Sequence, residues 1–204
     1  MKNDLQKTEQ RTKQYWFIDG LAEIGFGLIC LLLGIYFFAN AILPGEGPLV
    51  ALLEGSLALI MIAGALLANR LVSNFKAHIT YPRTGYVSYR RTRQVPRWVA
   101  GLIAGLIAVL ITVLIASYPG SEVLMPAITG GFVSAVWLYI ATKIGLWRLY
   151  AQSAASLFLG GGISLAGIGN TPGLALFYSL FAALMFLSGG LTLVNYLKQH
   201  PSAE

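Results

Sequence analysis

The sequence predicts an all-α integral membrane protein: a six-transmembrane-helix bundle arranged as three helical hairpins, with the N and C termini cytoplasmic. Three observations carry that expectation. Of 204 residues, 56% are hydrophobic and only 11% charged, and the mean hydropathy is +0.70, whereas a soluble domain carries about 25% charged residues. Six segments are long and apolar enough to cross a bilayer, and all 14 Lys and Arg residues fall in alternate connections between them.

A spanning helix takes roughly 20 predominantly apolar residues. Residues 24–45 are free of charge, and Tyr15, Trp16 and Phe17 ahead of them supply an aromatic interface anchor, which sets a first span at 17–39. The second, 48–69, holds a single charge, Glu54; the third, 98–118, and the fourth, 123–142, hold none. From Leu149 no charge occurs before Lys198. As one helix that stretch would be about 73 Å long, more than twice a hydrocarbon core of about 30 Å. Asn170, Thr171, Pro172 and Gly173 form a turn cluster near its middle, and divide it into a fifth span at 150–168 and a sixth at 173–197. Residues 1–204 thus read as a single membrane domain with one substantial cytoplasmic loop, 70–97.

Orientation follows from where the cations lie. Lys2, Lys7, Arg11 and Lys13 precede the first span, and Arg70, Lys76, Arg83, Arg90, Arg91, Arg93 and Arg97 follow the second. Lys143 and Arg148 separate the fourth and fifth, and Lys198 follows the sixth. The connections around 44–47, 119–122 and 170–173 contain none. Lys and Arg concentrate in cytoplasmic loops, so both termini are expected inside, in the plasma (cytoplasmic) membrane. The same sorting accounts for the net charge of +6 without invoking nucleic acid. A cleaved signal peptide ending near Ala39 and Ala41 is disfavoured, because the apolar run exceeds an h-region of about 7–15 residues and Asp19 and Glu23 stand ahead of it.

The single cysteine, Cys30, and two histidines, His78 and His200, cannot form a disulfide and fall short of the four ligands of a structural zinc site. Phosphate-loop, dinucleotide, nucleophile-elbow and zinc-protease signatures are missing from the sequence. The expectation is no metal, no cofactor and no catalytic residue. Small residues recur in the spans, with Gly101 and Gly105, Gly160 and Ser164, and Gly64 and Ala68 each four apart. They let helix backbones approach closely, within the chain before any dimer. Hairpins one and three can be overlaid, with Gly27 and Gly34 on Gly160 and Gly167, and Gly64, Leu67, Asn69 and Leu71 on Gly190, Leu193, Asn195 and Leu197. A duplication and a chance match in glycine-rich sequence both fit.

Three features are out of place in such a chain. Asp19 and Glu23 share a helix face at the cytoplasmic entrance of the first span, and two like charges so placed repel unless a cation or proton intervenes. Asp19 reads either as a helix N-cap or as a functional carboxylate; for Glu23 the expected partners are Arg70 or Arg97. Glu54 lies about 9 Å inside the second span from its outer end, with no outer Lys or Arg to neutralise it. It reads either as part of a proton or cation site or as a protonated, hydrogen-bonded structural carboxyl. The third feature is the loop, where Arg83, Tyr86, Tyr89, Arg90, Arg91 and Arg93 suit anionic lipid headgroups at about 1 kcal/mol per cation, or a docking partner. The string TYPRTGYV at 80–87 resembles a motif in uncharacterised prokaryotic multi-pass membrane proteins. That resemblance implies a prokaryotic membrane and a role for the loop, but no activity.

Three function classes remain. The first is a non-enzymatic structural or accessory component of a membrane complex, with other membrane subunits as partners. The second is a small transporter or channel, alone or as a homo-oligomer, using Glu54 with Glu23 and Asp19. The third is a lipid-phosphate enzyme built on His78 and the loop arginines.

Overall fold

The computed structural model describes residue 14 and residues 16–43, 47–80 and 120–200. The described residues are predominantly helical, with no strand among them. Five α-helices succeed one another among the described residues: α1 (Leu21–Ile42), α2 (Pro48–Phe75), α3 (Met125–Ile144), α4 (Trp147–Leu165) and α5 (Asn170–Gln199). A π-helical turn, Lys76–Thr80, extends α2, and a 3-10 turn, Ser121–Leu124, leads into α3. The expected span at 98–118 and the loop residues Arg83, Tyr86, Tyr89, Arg90, Arg91 and Arg93 lie outside the described residues.

Among the described residues, four segments have the length and apolarity to cross a membrane: Leu21–Ile42, Gly55–His78, Ser121–Ile144 and Asn170–Gln199. The fifth expected span differs. α4 is a 19-residue helix, but Arg148, Gln152, Ser153, Ser156 and Ser164 make it more polar than its neighbours, and it is not among the four. It also starts and stops three residues earlier than 150–168, because Gly167 at φ 74° breaks it before Ile168. The turn is correspondingly early. Residues 166–169 make it, while Asn170 to Gly173 form the first turn of α5, where Pro172 lacks only an N–H that would have no helical partner. The first helix begins four residues after the expected 17, because residues 16–19 turn and Gly20 is left-handed at φ 74°.

The strongest packing joins the first and last helices. α1 and α5 run antiparallel along a stripe of α1 glycines at seven-residue intervals. Gly20 lies against the Gly189 carbonyl and Thr192, Gly27 against Met185 and Phe186, and Gly34 against Ser179, whose Oγ would stand 2.6 Å from an added Cβ. At Gly20 both the positive φ and this contact exclude a side chain. The α3–α4 seam is built differently, from small polar residues. Ser153 Oγ donates to the Ser134 carbonyl at 2.8 Å, Ser156 Oγ to the Gly130 carbonyl at 2.9 Å, and the Ala127 N–H to Ser164 Oγ at 3.0 Å. Each of these hydroxyls reaches backbone because Gly130 and Gly160 let the helices touch. α2 packs on α1 through Gly25, Ala68 and Val72, and Gly64 meets Leu32. Both described small-residue pairs, Gly160 with Ser164 and Gly64 with Ala68, are therefore spent on packing within the chain.

Between α1, α3, α4 and α5 lies the apolar core, comprising Cys30, Trp137, Ala141, Ile144, Leu149, Phe181, Ala182 and Met185. Phe26 meets Trp137 and Phe181 edge-on, at centroid distances of 5.2 and 6.3 Å, and Phe181 stacks on Phe177 at 5.8 Å. In the overlay of hairpins one and three, Gly27 and Gly160 are both packed against a neighbouring helix, but the other two glycine pairs differ. Gly34 is packed against Ser179 and Gly64 against Leu32, whereas Gly167 and Gly190 have open space beside them.

Candidate functional site

The described Lys and Arg residues of the bundle gather at one end, together with Asp19 and Glu23. α1 begins there, α2 and α3 end there, α4 begins there and α5 leaves through it. Gln14 Nε2 donates to the Ile144 carbonyl at 2.8 Å, tying the segment before α1 to the end of α3. Two buried clusters are built around Asp19, in the turn ahead of α1, and Glu23, in its first turn.

Asp19 is fully buried. One oxygen accepts the Leu21 N–H at 3.2 Å, so the carboxylate does serve the helix start, although Gly20 is the cap residue. Its other oxygen holds Lys76 Nζ at 3.0 Å, and Lys76 is as buried as its partner. The ammonium also donates to the Trp16 carbonyl at 2.7 Å and sits 4.2 Å from the centroid of the Trp16 indole. Lys76 opens the π-helical turn, where a wider helical turn rotates its side chain relative to a regular α-helix. An ion pair taken out of water is stabilising only when the remaining donors are also satisfied. Here the carbonyl and the ring satisfy them. Trp16→Leu keeps the carbonyl and removes the ring, and is expected to cost about 1–2 kcal/mol, in line with a desolvated cation–π contact. Thermal unfolding in mild detergent measures this; an unchanged midpoint would show the ring to be idle.

Glu23, one turn into α1, is also fully buried. Arg148 Nε of α4 approaches Oε1 at 2.8 Å. Gln152 Nε2, one turn further along α4, donates to Oε2 at 2.8 Å, and Ser188 Oγ of α5 donates to the same oxygen at 2.7 Å. Gln152 also reaches Ser188 Oγ at 3.0 Å, and Thr192 Oγ1 donates to the Ser188 carbonyl at 2.8 Å. The Arg148 contact is a close ion pair, but the N–H does not point along it as a hydrogen bond. One carboxylate thus joins α1, α4 and α5.

The residues singled out by sequence are distributed as follows. Asp19 and Glu23 both belong to buried clusters, and both have cation partners. The partner of Glu23 is Arg148 rather than Arg70, which is exposed on α2, or Arg97, which lies outside the described residues. Glu54 falls on α2, and its side chain lies outside the description. His78 is exposed, with its ring Nδ1 hydrogen-bonded to the Asn74 carbonyl at 2.9 Å, one turn back on its own helix. Arg148, Gln152, Ser188, Lys76 and Trp16 were missed as site residues. Gln152 was the one with a signal, since it is the single amide side chain in the expected span 150–168. Among the described residues, no three His, Cys, Asp or Glu are grouped to hold a metal ion. No family model matches the chain, and neither a curated protein nor a solved structure matches it.

Proposed function

We propose that the chain is a non-enzymatic multi-pass membrane protein serving as a structural or accessory component of a membrane complex. The observation that carries this reading is that Asp19 and Glu23 are each fully buried and each tied to a cation from another helix. Transport sites need carboxylates that release their protein partners in exchange for the transported species. These two instead brace α1 against α2, α4 and α5.

The six-span arrangement, with both termini cytoplasmic, belongs to the same proposal. α2 finishes at the Asp19 end and α3 begins at the opposite end, where Asn170 Nδ2 donates to Glu122 Oε2 at 3.2 Å. Chain 81–119 has to connect the two ends, which one further span at 98–118 would do. Lys76, Lys143 and Arg148 lie at the Asp19 end, which supports its being the cytoplasmic one in a plasma membrane. The loop around Arg83, Tyr86, Tyr89, Arg90, Arg91 and Arg93 is then the docking element, toward anionic headgroups or another membrane subunit, and its resemblance to a loop of prokaryotic multi-pass proteins fits that role.

The test is gentle crosslinking, extraction in mild detergent and native mass spectrometry. Stoichiometric membrane subunits are expected with the wild type, and their loss is expected when Arg90 and Arg91 are both changed to Glu. A lone monomer or homodimer would overturn the reading. Proton or cation flux in proteoliposomes that disappears with Glu54→Gln would replace it with transport.

A further inference from the structure

The Glu23 cluster contains more hydrogen-bonding capacity than its protein partners use. Gln152 is 2% exposed. Its amide nitrogen is committed to Glu23 and Ser188, which fixes the assignment of the two amide ends, because an ionised carboxylate accepts only. Its Oε1 is buried with no donor among the described residues. Arg148 Nη2 is buried with no acceptor among them, and Glu23 Oε1 has the Arg148 charge beside it but no straight hydrogen bond. Unused donors and acceptors therefore flank one carboxylate. Leaving such groups bare inside a protein costs the desolvation of each.

We propose that this cluster is an internal hydration site, in which ordered water accepts from Arg148 Nη2 and donates to Gln152 Oε1 and Glu23 Oε1. The chemistry selects water over other small molecules. Both a donor and acceptors are waiting, so the occupant must be amphiprotic. The charges of Glu23 and Arg148 offset one another, so no ion is called for. Buried waters typically make about three hydrogen bonds to groups that otherwise lack partners, and three such groups are present. Arg148 supplies the route, since its side chain is 23% exposed while the carboxylate it pairs with is fully buried. The hydration site requires neither a partner subunit nor a transported ion, and so stands or falls separately from the accessory reading.

Water-edited solid-state NMR on the full-length wild-type chain in phosphatidylcholine vesicles tests this without any substitution that endangers folding. Magnetisation starting on water is expected to reach the Gln152 side-chain amide and the Arg148 guanidinium several-fold faster than the backbone amide of Ala182, which lies in the apolar core. Equal, slow build-up at all three would overturn the proposal. So would transfer to Arg148 and Gln152 from lipid protons with none from water, which would make the free donor a headgroup contact.

Discussion

Glu23→Ala is expected to destabilise the folded chain by about 3–5 kcal/mol, the usual cost of removing one member of a buried ion pair. The change strands Arg148, and it also frees Gln152 Nε2 and Ser188 Oγ, which share Glu23 Oε2. The physical content lies in the double variant. Arg148→Met alone leaves the Glu23 carboxylate buried without its cation, so it too should be costly. Combining Arg148→Met with Glu23→Gln removes both charges and retains an amide for Ser188 and Gln152. If the pair interacts as its 2.8 Å separation implies, the double variant is more stable than the sum of the Arg148→Met loss and the loss from Glu23→Gln alone predicts, with a coupling of about 0.5–3 kcal/mol. Unfolding midpoints of wild type, the two single variants and the double variant in one detergent give the cycle. Strictly additive losses would show that the ion pair contributes nothing to holding α4 beside α1.

Both acidic residues were legible in the sequence; their partners were not. Asp19 and Glu23 stood out because two carboxylates one turn apart precede an apolar run, and elementary repulsion demands compensation. Which cation answers depends on which helix lies beside α1, and that neighbour is set by tertiary packing. Charge bookkeeping along the chain pointed Glu23 to Arg70 or Arg97, near in the expected topology. The actual partner, Arg148, reaches it because the α1 glycines bring α5 against α1, and α4 packs beside α5. Counting only charged residues also passed over Gln152, although a lone amide in an apolar run carries the same demand for a partner at lower cost.

Helix type and approximate position were legible for the same reason that transmembrane segments generally are: apolar length is a local property. The exceptions have local causes too. Gly20 and Gly167, both at positive φ, moved one helix start and one helix end. Asn170, Thr171, Pro172 and Gly173 look like a turn by composition, yet an N-terminal helical turn accepts the same residues, proline included. Neighbour relations escaped the sequence altogether. Pairing spans into consecutive hairpins does not anticipate that α1 is most closely packed against α5, or that α3 and α4 share a seam of serines and glycines.

That seam sets the second large effect, in which one substitution changes sign between adjacent positions. At Gly160 an added Cβ would collide with the Pro126 carbonyl oxygen and stand 2.9 Å from Gly130 Cα. These are backbone atoms, with no flexible side chain to give way. Gly160→Ala must push α3 and α4 apart, and the cost is expected to reach about 1–3 kcal/mol for the overpacking. The separation also stretches the Ser156–Gly130 and Ala127–Ser164 hydrogen bonds, of 2.9 and 3.0 Å. Gly161 has no atom within 4 Å of its would-be Cβ, so Gly161→Ala only reduces backbone freedom and is expected to stabilise the helix by about 0.5–1 kcal/mol. Thermal unfolding of the two variants side by side gives a comparison in which composition and host helix change identically and only the contact differs. In a bilayer, where lipid is as apolar as the helix surface, close backbone approach is a principal source of helix association. A midpoint that falls for Gly160→Ala and rises for Gly161→Ala assigns that source to the α3–α4 contact. If both variants rose together, the helices would be separating freely enough to admit a methyl, and the serine ladder rather than the glycine contact would be holding them.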